Sequence, residues 1–216
     1  MLGTAGVVLL TLTLSGGDSG NAGSLARIDA SVFTPLGPDE SDMRALLGEL
    51  SGIELTLDGK EVAVEVPAAA MCDQPECAIY AAASFVTYQD DVLAGRLIPQ
   101  WQALFDPQCY FCEDTLVVSR AIEMDGVVAT GALLTVVDAP VVFTEDFIAD
   151  LFPFDRLVVE EDSDEPVLLS MIVRQSEASY TFEDGTTQEV EEVVVTLLMA
   201  LQWDGAYWKV LTVAIT

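Results

Sequence analysis

The sequence predicts an α+β fold in which three helices cover one face of an antiparallel or mixed sheet. Apolar residues recur at helical spacing between Pro75 and Gly126, and at every second position after Gly126. The last two predicted strands present a face that is almost wholly apolar, so another layer must cover it. The helices that precede these strands are the available cover.

The first 17 residues, MLGTAGVVLLTLTLSGG, form an uncharged and mostly apolar segment. A bilayer-spanning helix needs about 20 apolar residues, so this segment is too short for one. It suits the apolar region of an export signal, although no Lys or Arg precedes it. The sequence leaves open whether the segment is cleaved, is retained as a membrane tether or follows a start further upstream. Small polar residues come next, and we expect a flexible linker over residues 18–50.

Residues 51–71 are predicted to form an N-terminal β-hairpin and a connection. Two runs that alternate between apolar and polar residues flank Asp58 and Gly59. An Asp-Gly pair between such runs is a strong hairpin signal. The main domain is expected to follow over residues 72–216.

Three helices are expected at the start of the main domain. The first begins at Pro75 and ends before Gly95, and a short second helix follows Pro99. The third is predicted over residues 113–126, with its N-cap at the second or third residue of that range. Its early acidic residues suit the positive end of a helix.

The rest of the chain is predicted to form the sheet. Residues 127–143 favour one strand, and residues 144–152 favour one or two helical turns. Alternation over residues 167–175 and again over 193–203 indicates two further strands, and an Asp-Gly turn leads into a last strand that ends near Ile215.

The 216-residue chain is strongly acidic, with 8 Lys and Arg against 36 Asp and Glu, and its net charge is −28. Such a chain repels phosphate backbones and anionic lipids, so direct nucleic-acid binding is not expected. Solubility explains the charge, with a basic partner or a bound cation as the alternative. The chain has no histidine, so it lacks the commonest general base and transition-metal ligand.

Four cysteines, Cys72, Cys77, Cys109 and Cys112, offer three chemistries. Disulfides would suit an exported protein, and sequence alone does not choose among the three possible pairings. Pairing within each close pair is the simplest geometrically, and we favour it. A four-thiolate zinc site would suit a reducing compartment. A redox-active Cys109–Cys112 pair is disfavoured because the acidic residues that follow raise thiol pKa values.

Three residues are weak candidates for a binding pocket. Arg120 lies among apolar helix residues and could bind an anion, although we favour a surface pair with Glu123. Tyr88 and Trp203 are aromatic residues at the ends of elements, and we favour core packing for both. No spacing assigns a catalytic residue, and no cofactor is expected.

Two stretches carry a resemblance to known proteins. The run AIYAAASFVTYQDDVLAGRLIPQWQALFDPQCYFC, residues 78–112, resembles a family of actinobacterial exported lipoproteins whose domain has no assigned function. The closing LQWDGAYWKVLTV, residues 201–213, is similar to the last hairpin of nuclear transport factor 2-like or cystatin-like domains. The resemblance implies that helices pack in the hollow of a curved, cone-shaped sheet. It also implies export, a lipid anchor and a Cys109–Cys112 disulfide. This chain has Gly17 where the lipidated cysteine would stand.

The expected function is therefore that of an exported binding or accessory module at the cell envelope, with an unidentified small-molecule or protein ligand. A small-molecule enzyme with a polar pocket in the same fold is the first alternative. A cytosolic four-cysteine zinc protein is the second. We favour the binding module because fold analogy alone does not license catalysis.

Overall fold

The computed structural model describes residues 26–27, 48–124, 126–131, 134–136, 141–143 and 166–215. The predicted export segment, most of the predicted linker and the helical turns expected at 144–152 lie outside the described residues.

Helices and antiparallel strands both occur, which confirms the α+β class. The strands, in chain order, are β1 (Ala26–Arg27), β2 (Leu50–Leu57), β3 (Lys60–Pro67), β4 (Val128–Gly131), β5 (Leu134–Val136), β6 (Val141–Phe143), β7 (Val167–Gln175), β8 (Ala178–Thr181), β9 (Thr187–Val190), β10 (Val193–Trp203) and β11 (Trp208–Ile215). The helices are α1 (Pro75–Leu93), α2 (Ile98–Gln102) and α3 (Tyr110–Met124).

The main sheet has the strand order β1-β6-β7-β10-β11, and β5 also pairs with β7. Every pairing in it is antiparallel. Met199 of β10 lies opposite Leu169 of β7 on one side and Val213 of β11 on the other. All three side chains are buried, so the predicted apolar face is confirmed in its central part, whereas Val193 at one end of it is exposed.

Strand β10 extends beyond its pairing with β11. The pairing ends where Leu197 meets Ile215, whereas the pairing with β7 continues to Val193. Among the described residues, Val193, Val194 and Val195 therefore have a strand partner on one side only.

The predicted N-terminal hairpin is confirmed. Strands β2 and β3 pair from Leu57 and Lys60 out to Leu50 and Pro67, around the predicted Asp-Gly turn. Tyr88 of α1 holds this hairpin to the rest of the fold: its hydroxyl donates to the Glu65 carbonyl and accepts from the Glu65 N–H.

The single strand expected at 127–143 is wrong. Strands β4, β5 and β6 divide this stretch, and β4 belongs to a separate three-stranded sheet, β4-β8-β9. Gly131 ends β4 with φ +80°, and a Cβ there would lie 2.2 Å from the Glu177 carbonyl oxygen. Only glycine permits this close approach of the two backbones. Gly131 therefore stands at the point where the chain leaves the three-stranded sheet for the main sheet. The β8–β9 hairpin was not foreseen from the sequence.

Helix α1 follows the prediction closely. Its first residue is Pro75, and the first position of a helix is the one that suits proline best. Just beyond its end, Gly95 has a left-handed backbone with φ +73°, which is typical of a glycine that ends a helix. Almost every side chain from Ala78 to Gln89 is buried, and α1 contacts α2, α3, β3, β5, β7, β10 and β11. Its alanines permit this close packing on several sides.

Helix α3 begins earlier than the predicted range of 113–126. Asp106 forms a turn in which its carboxylate accepts the Gln108 N–H and its carbonyl accepts the Cys109 N–H. The Cys109 sulfur then accepts the Cys112 N–H at 3.3 Å, and the Cys109 carbonyl accepts the first helical bond from Glu113. The sulfur takes the place that a Ser or Asp side chain has in an ordinary N-cap, so an acidic cap further along is not needed.

One apolar core joins the helices to the main sheet and the hairpin. At its centre Phe85 stacks on Trp101 with ring centroids 4.8 Å apart, and Phe105 packs edge-on against Trp101 at 5.0 Å. The Trp101 indole N–H donates to the Phe85 carbonyl at 3.1 Å, so the ring is buried without losing its hydrogen bond. A smaller cluster around Ile122 and Tyr180 joins α3 to the three-stranded sheet.

Candidate functional site

The cysteines form two local disulfides, Cys72–Cys77 and Cys109–Cys112, which confirms the favoured pairing. Cys109 and Cys112 are fully buried, whereas Cys72 and Cys77 are partly exposed. In this oxidised form the four cysteines offer no thiolates to a metal ion. Among the described residues, no three Cys, Asp or Glu side chains are grouped so that they could hold a metal ion.

The first disulfide lies close to the last hairpin. The indole N–H of Trp208 donates to the Cys72 carbonyl at 2.6 Å. Trp203, one of the pocket candidates, packs beside Trp208 with ring centroids 5.8 Å apart. Trp203 thus belongs to an aromatic pair at the end of β10 and β11 and is only partly buried.

The other two pocket candidates have their own partners. Tyr88 is buried, and its hydroxyl bonds to the Glu65 backbone as described above. Arg120 is exposed and donates to the Gln102 side-chain oxygen at 3.0 Å, which links α3 to α2. The three candidates lie on α1, α3 and β10 and have three separate sets of contacts.

Tyr207 is the most deeply buried ionisable group among the described residues. Burial raises the pKa of its hydroxyl, and the nearby Tyr88 raises it further, while the Ser84 hydroxyl lowers it. The Tyr207 oxygen makes no hydrogen bond of good geometry within the described residues, although Ser84 lies beside it. Sequence reasoning did not single out this residue, because a Tyr after an Asp-Gly turn has no distinctive spacing.

The outer face of α3 is the most unusual surface among the described residues. We use this name for Tyr110, Asp114, Val117, Ala121 and Met124, all of which are exposed. Tyr110 and Val117 are each 66% exposed, and Met124 is 83% exposed. At 100° per residue these five positions fall within an arc of about 80°, and they extend over about 21 Å of helix. Four of the five side chains are apolar.

The opposite face of the same helix packs into the core. It consists of Cys112, Thr115, Leu116, Ser119 and Ile122. The Thr115 and Ser119 hydroxyls donate to the carbonyls of Phe111 and Thr115, four residues earlier in each case. Helix α3 is therefore as apolar on its outer face as on its inner face, which is typical of a helix covered on both sides.

Charged residues flank the outer face. Glu113 lies on one flank at partial exposure, and Asp114 lies within the face. Glu123 is exposed but lies about 140° around the helix from the centre of the face. Arg120 is the one basic residue of α3, and it is engaged with Gln102. Two acids and one basic residue of α3 therefore adjoin the apolar residues.

Sequence reasoning missed the outer face, although a signal was present. Leu116 and Val117 are adjacent apolar residues, and on a helix neighbours point about 100° apart. One of them must leave the buried side. The alternating four- and three-residue spacing from Tyr110 to Met124 shows which side chains accompany Val117.

Comparison of the chain with models of known protein families and with curated proteins finds no match. The resemblance to exported lipoproteins thus rests on the quoted motifs and stays a prediction. Helices α1 to α3, the helices of the described residues, lack the length and apolarity that a bilayer-spanning helix requires.

Proposed function

We propose that this chain is an exported binding or accessory module of the cell envelope, and that it recognises a partner through the outer face of α3. The observation that carries the proposal is the exposure of Tyr110, Val117 and Met124 along one line of a helix whose other side is buried. Covering aligned apolar side chains of a water-facing helix with another molecule lowers the free energy, because it removes apolar surface from water.

The disulfides support export. Such bonds persist in oxidising compartments and are rare in the cytosol. Each disulfide joins a residue just before a helix to a residue in its first turn. Cys72 precedes α1 and Cys77 lies within it, and Cys109 precedes α3 and Cys112 lies within it. By the loop-entropy relation each is worth about 2 kcal/mol, a large part of the stability of an ordinary domain.

The hydrogen bonds of the buried hydroxyls favour binding over catalysis. Thr87 donates to the Ala83 carbonyl, and Thr115 and Ser119 donate within α3 in the same way. These hydroxyls satisfy their own helices, whereas an enzyme needs polar groups that converge on a substrate. The binding-module proposal therefore agrees with how the interior uses its polar atoms.

The proposal is tested by mapping the native chain in the cells that produce it. Soluble, membrane and external fractions are alkylated without reductant and analysed by intact mass. We expect the chain outside the cytosol with no alkylated cysteine. The Cys72→Ser variant is the matched control, because it frees Cys77 and should gain one alkyl group. A cytosolic chain carrying four alkyl groups would overturn the proposal.

A further inference from the structure

The geometry points to the chemistry of the partner: the outer face of α3 docks a cationic amphipathic helix of another protein. This inference rests on the proposed function and names the partner class for the same surface.

The shape of the face suits a helix. Its five positions alternate by four and three residues, the spacing at which one helix presents side chains to a second helix packed along it. Ala121 is small and lies between Val117 and Met124, so a larger side chain of the partner has room to approach there. An arc of about 80° matches the narrow seam of two paired helices better than the broad stripe of a core helix.

The charge around the face suits a cationic occupant. Glu113 and Asp114 adjoin the face together with one basic residue, Arg120, and the whole chain has a net charge of −28. Lys or Arg residues beside the apolar positions of a partner helix would meet these carboxylates. Such complementary charge accelerates association and disfavours wrong partners.

The basic residues of this chain offset that charge only in part, since Arg120 is the one basic residue of α3 and bonds to the neutral Gln102. Three of the described cations are held in ion pairs within the chain: Arg96 with Asp91, Arg174 with Glu192 and Lys209 with Asp204. A second copy of the chain would bring another strongly negative surface against the first. An anionic membrane is disfavoured for the same reason, since interfacial helices that bind membranes place Lys and Arg beside their apolar face.

A titration with a synthetic helix tests the inference. The probe is a peptide of about 18 residues with Leu at helical a and d positions and Lys elsewhere. One control peptide has Glu in place of Lys, and another has the same composition with the leucines scattered around the helix. We expect the disulfide-bonded full chain to bind the first peptide, and to bind both controls at least about tenfold more weakly.

The decisive variant is Val117→Glu. Attraction by charge alone predicts tighter binding of the Lys peptide, because the variant adds a negative charge. Docking on the apolar face predicts weaker binding, by about tenfold or more. Val194→Glu is the matched control, since Val194 is 51% exposed on β10 and lies away from α3. It should leave the dissociation constant within about twofold of the wild type.

Four results would overturn the inference. The Lys peptide fails to bind, or the scattered peptide binds equally well, or Val117→Glu binds no more weakly than Val194→Glu. Sedimentation that shows a dimer dissociated by Val117→Glu would also overturn it, in favour of a second copy as occupant. The titration uses purified protein, so its failure beside a correct export result refutes the partner chemistry and leaves the proposed function in place.

Discussion

The hydroxyl of Tyr88 donates a hydrogen bond of 2.8 Å to the Glu65 carbonyl and accepts one of 3.2 Å from the Glu65 N–H. One side chain of α1 thus forms hydrogen bonds with both backbone polar groups, the N–H and the C=O, of a residue in β3. Tyr88→Phe removes both bonds, and we expect it to lower the free energy of unfolding by about 1–2 kcal/mol. Urea denaturation measures the loss. Tyr110→Phe, which removes an exposed hydroxyl, is the control and should change nothing measurable.

The aromatic centre of the core is expected to be costly to disrupt. Phe85 is 2% exposed and stacks on Trp101, so Phe85→Ala should destabilise the chain by about 3–5 kcal/mol. Val117→Ala truncates an exposed side chain and should cost less than about 0.5 kcal/mol. Equal losses in the two variants would show that the outer face of α3 is covered within the chain itself.

Gly131 provides a test of the change from one sheet to another. Gly131→Ala meets both a positive φ and a carbonyl oxygen 2.2 Å from the new Cβ. Gly59→Ala meets a positive φ of +74° alone, since nothing lies within 4 Å of its Cβ. The second variant should lose about 1 kcal/mol, and the first clearly more, because its backbone must shift. Similar denaturation midpoints for the two would contradict the close approach of β4 and Glu177.

Tyr207 is expected to make the free energy of unfolding depend on pH in the alkaline range. Burial raises the pKa of its hydroxyl above the ordinary value of 10.0. Above about pH 10 the unfolded chain therefore releases this proton while the folded chain retains it, and the free energy of unfolding falls as pH rises. Below that pH the group contributes no slope. Tyr207→Phe should lose less stability than the wild type between about pH 9 and pH 11. Parallel pH profiles of the two proteins would contradict this.

The two disulfides are expected to yield to reductant in a fixed order. Cys109 and Cys112 are fully buried, so a reductant reaches them only after α3 opens locally. Cys72 and Cys77 are partly exposed and precede or begin α1. Brief treatment with dithiothreitol under native conditions, followed by alkylation and peptide mapping, should label Cys72 and Cys77 first. The opposite order would show that the start of α3 opens more readily than its burial implies.

Sequence patterns predicted the parts of the fold that local periodicity determines. Helix α1 and strands β7, β10 and β11 each carry a long and consistent apolar pattern, Asp204-Gly205 marks the turn between β10 and β11, and Asp58-Gly59 marks the turn between β2 and β3. Burial followed the predicted face in β7, whereas the centre of β10 is buried on both faces and Val193 is exposed. The arrangement of helices within a curved sheet stays a prediction.

The parts that sequence missed depend on distant contacts. The division of residues 127–143 requires Glu177, more than 40 positions away from Gly131, to approach its backbone. The early start of α3 requires the Asp106 turn and a cysteine sulfur that accepts a backbone hydrogen bond. The outer face of α3 was hidden because adjacent apolar residues belong to opposite sides, and only packing shows which side is covered.

The overhang of β10 beyond β11 bears on the solubility of the folded chain. Val193 and Val194 are exposed and, within the described part of the chain, pair with β7 alone. A strand edge with such residues can recruit a strand from another molecule. Glu191 and Glu192 are exposed immediately before this segment, so two chains brought edge to edge would place carboxylates against one another. This protection depends on charge. In strong acid, where carboxylates are protonated, it disappears, and the same edge that is harmless at neutral pH becomes a starting point for aggregation.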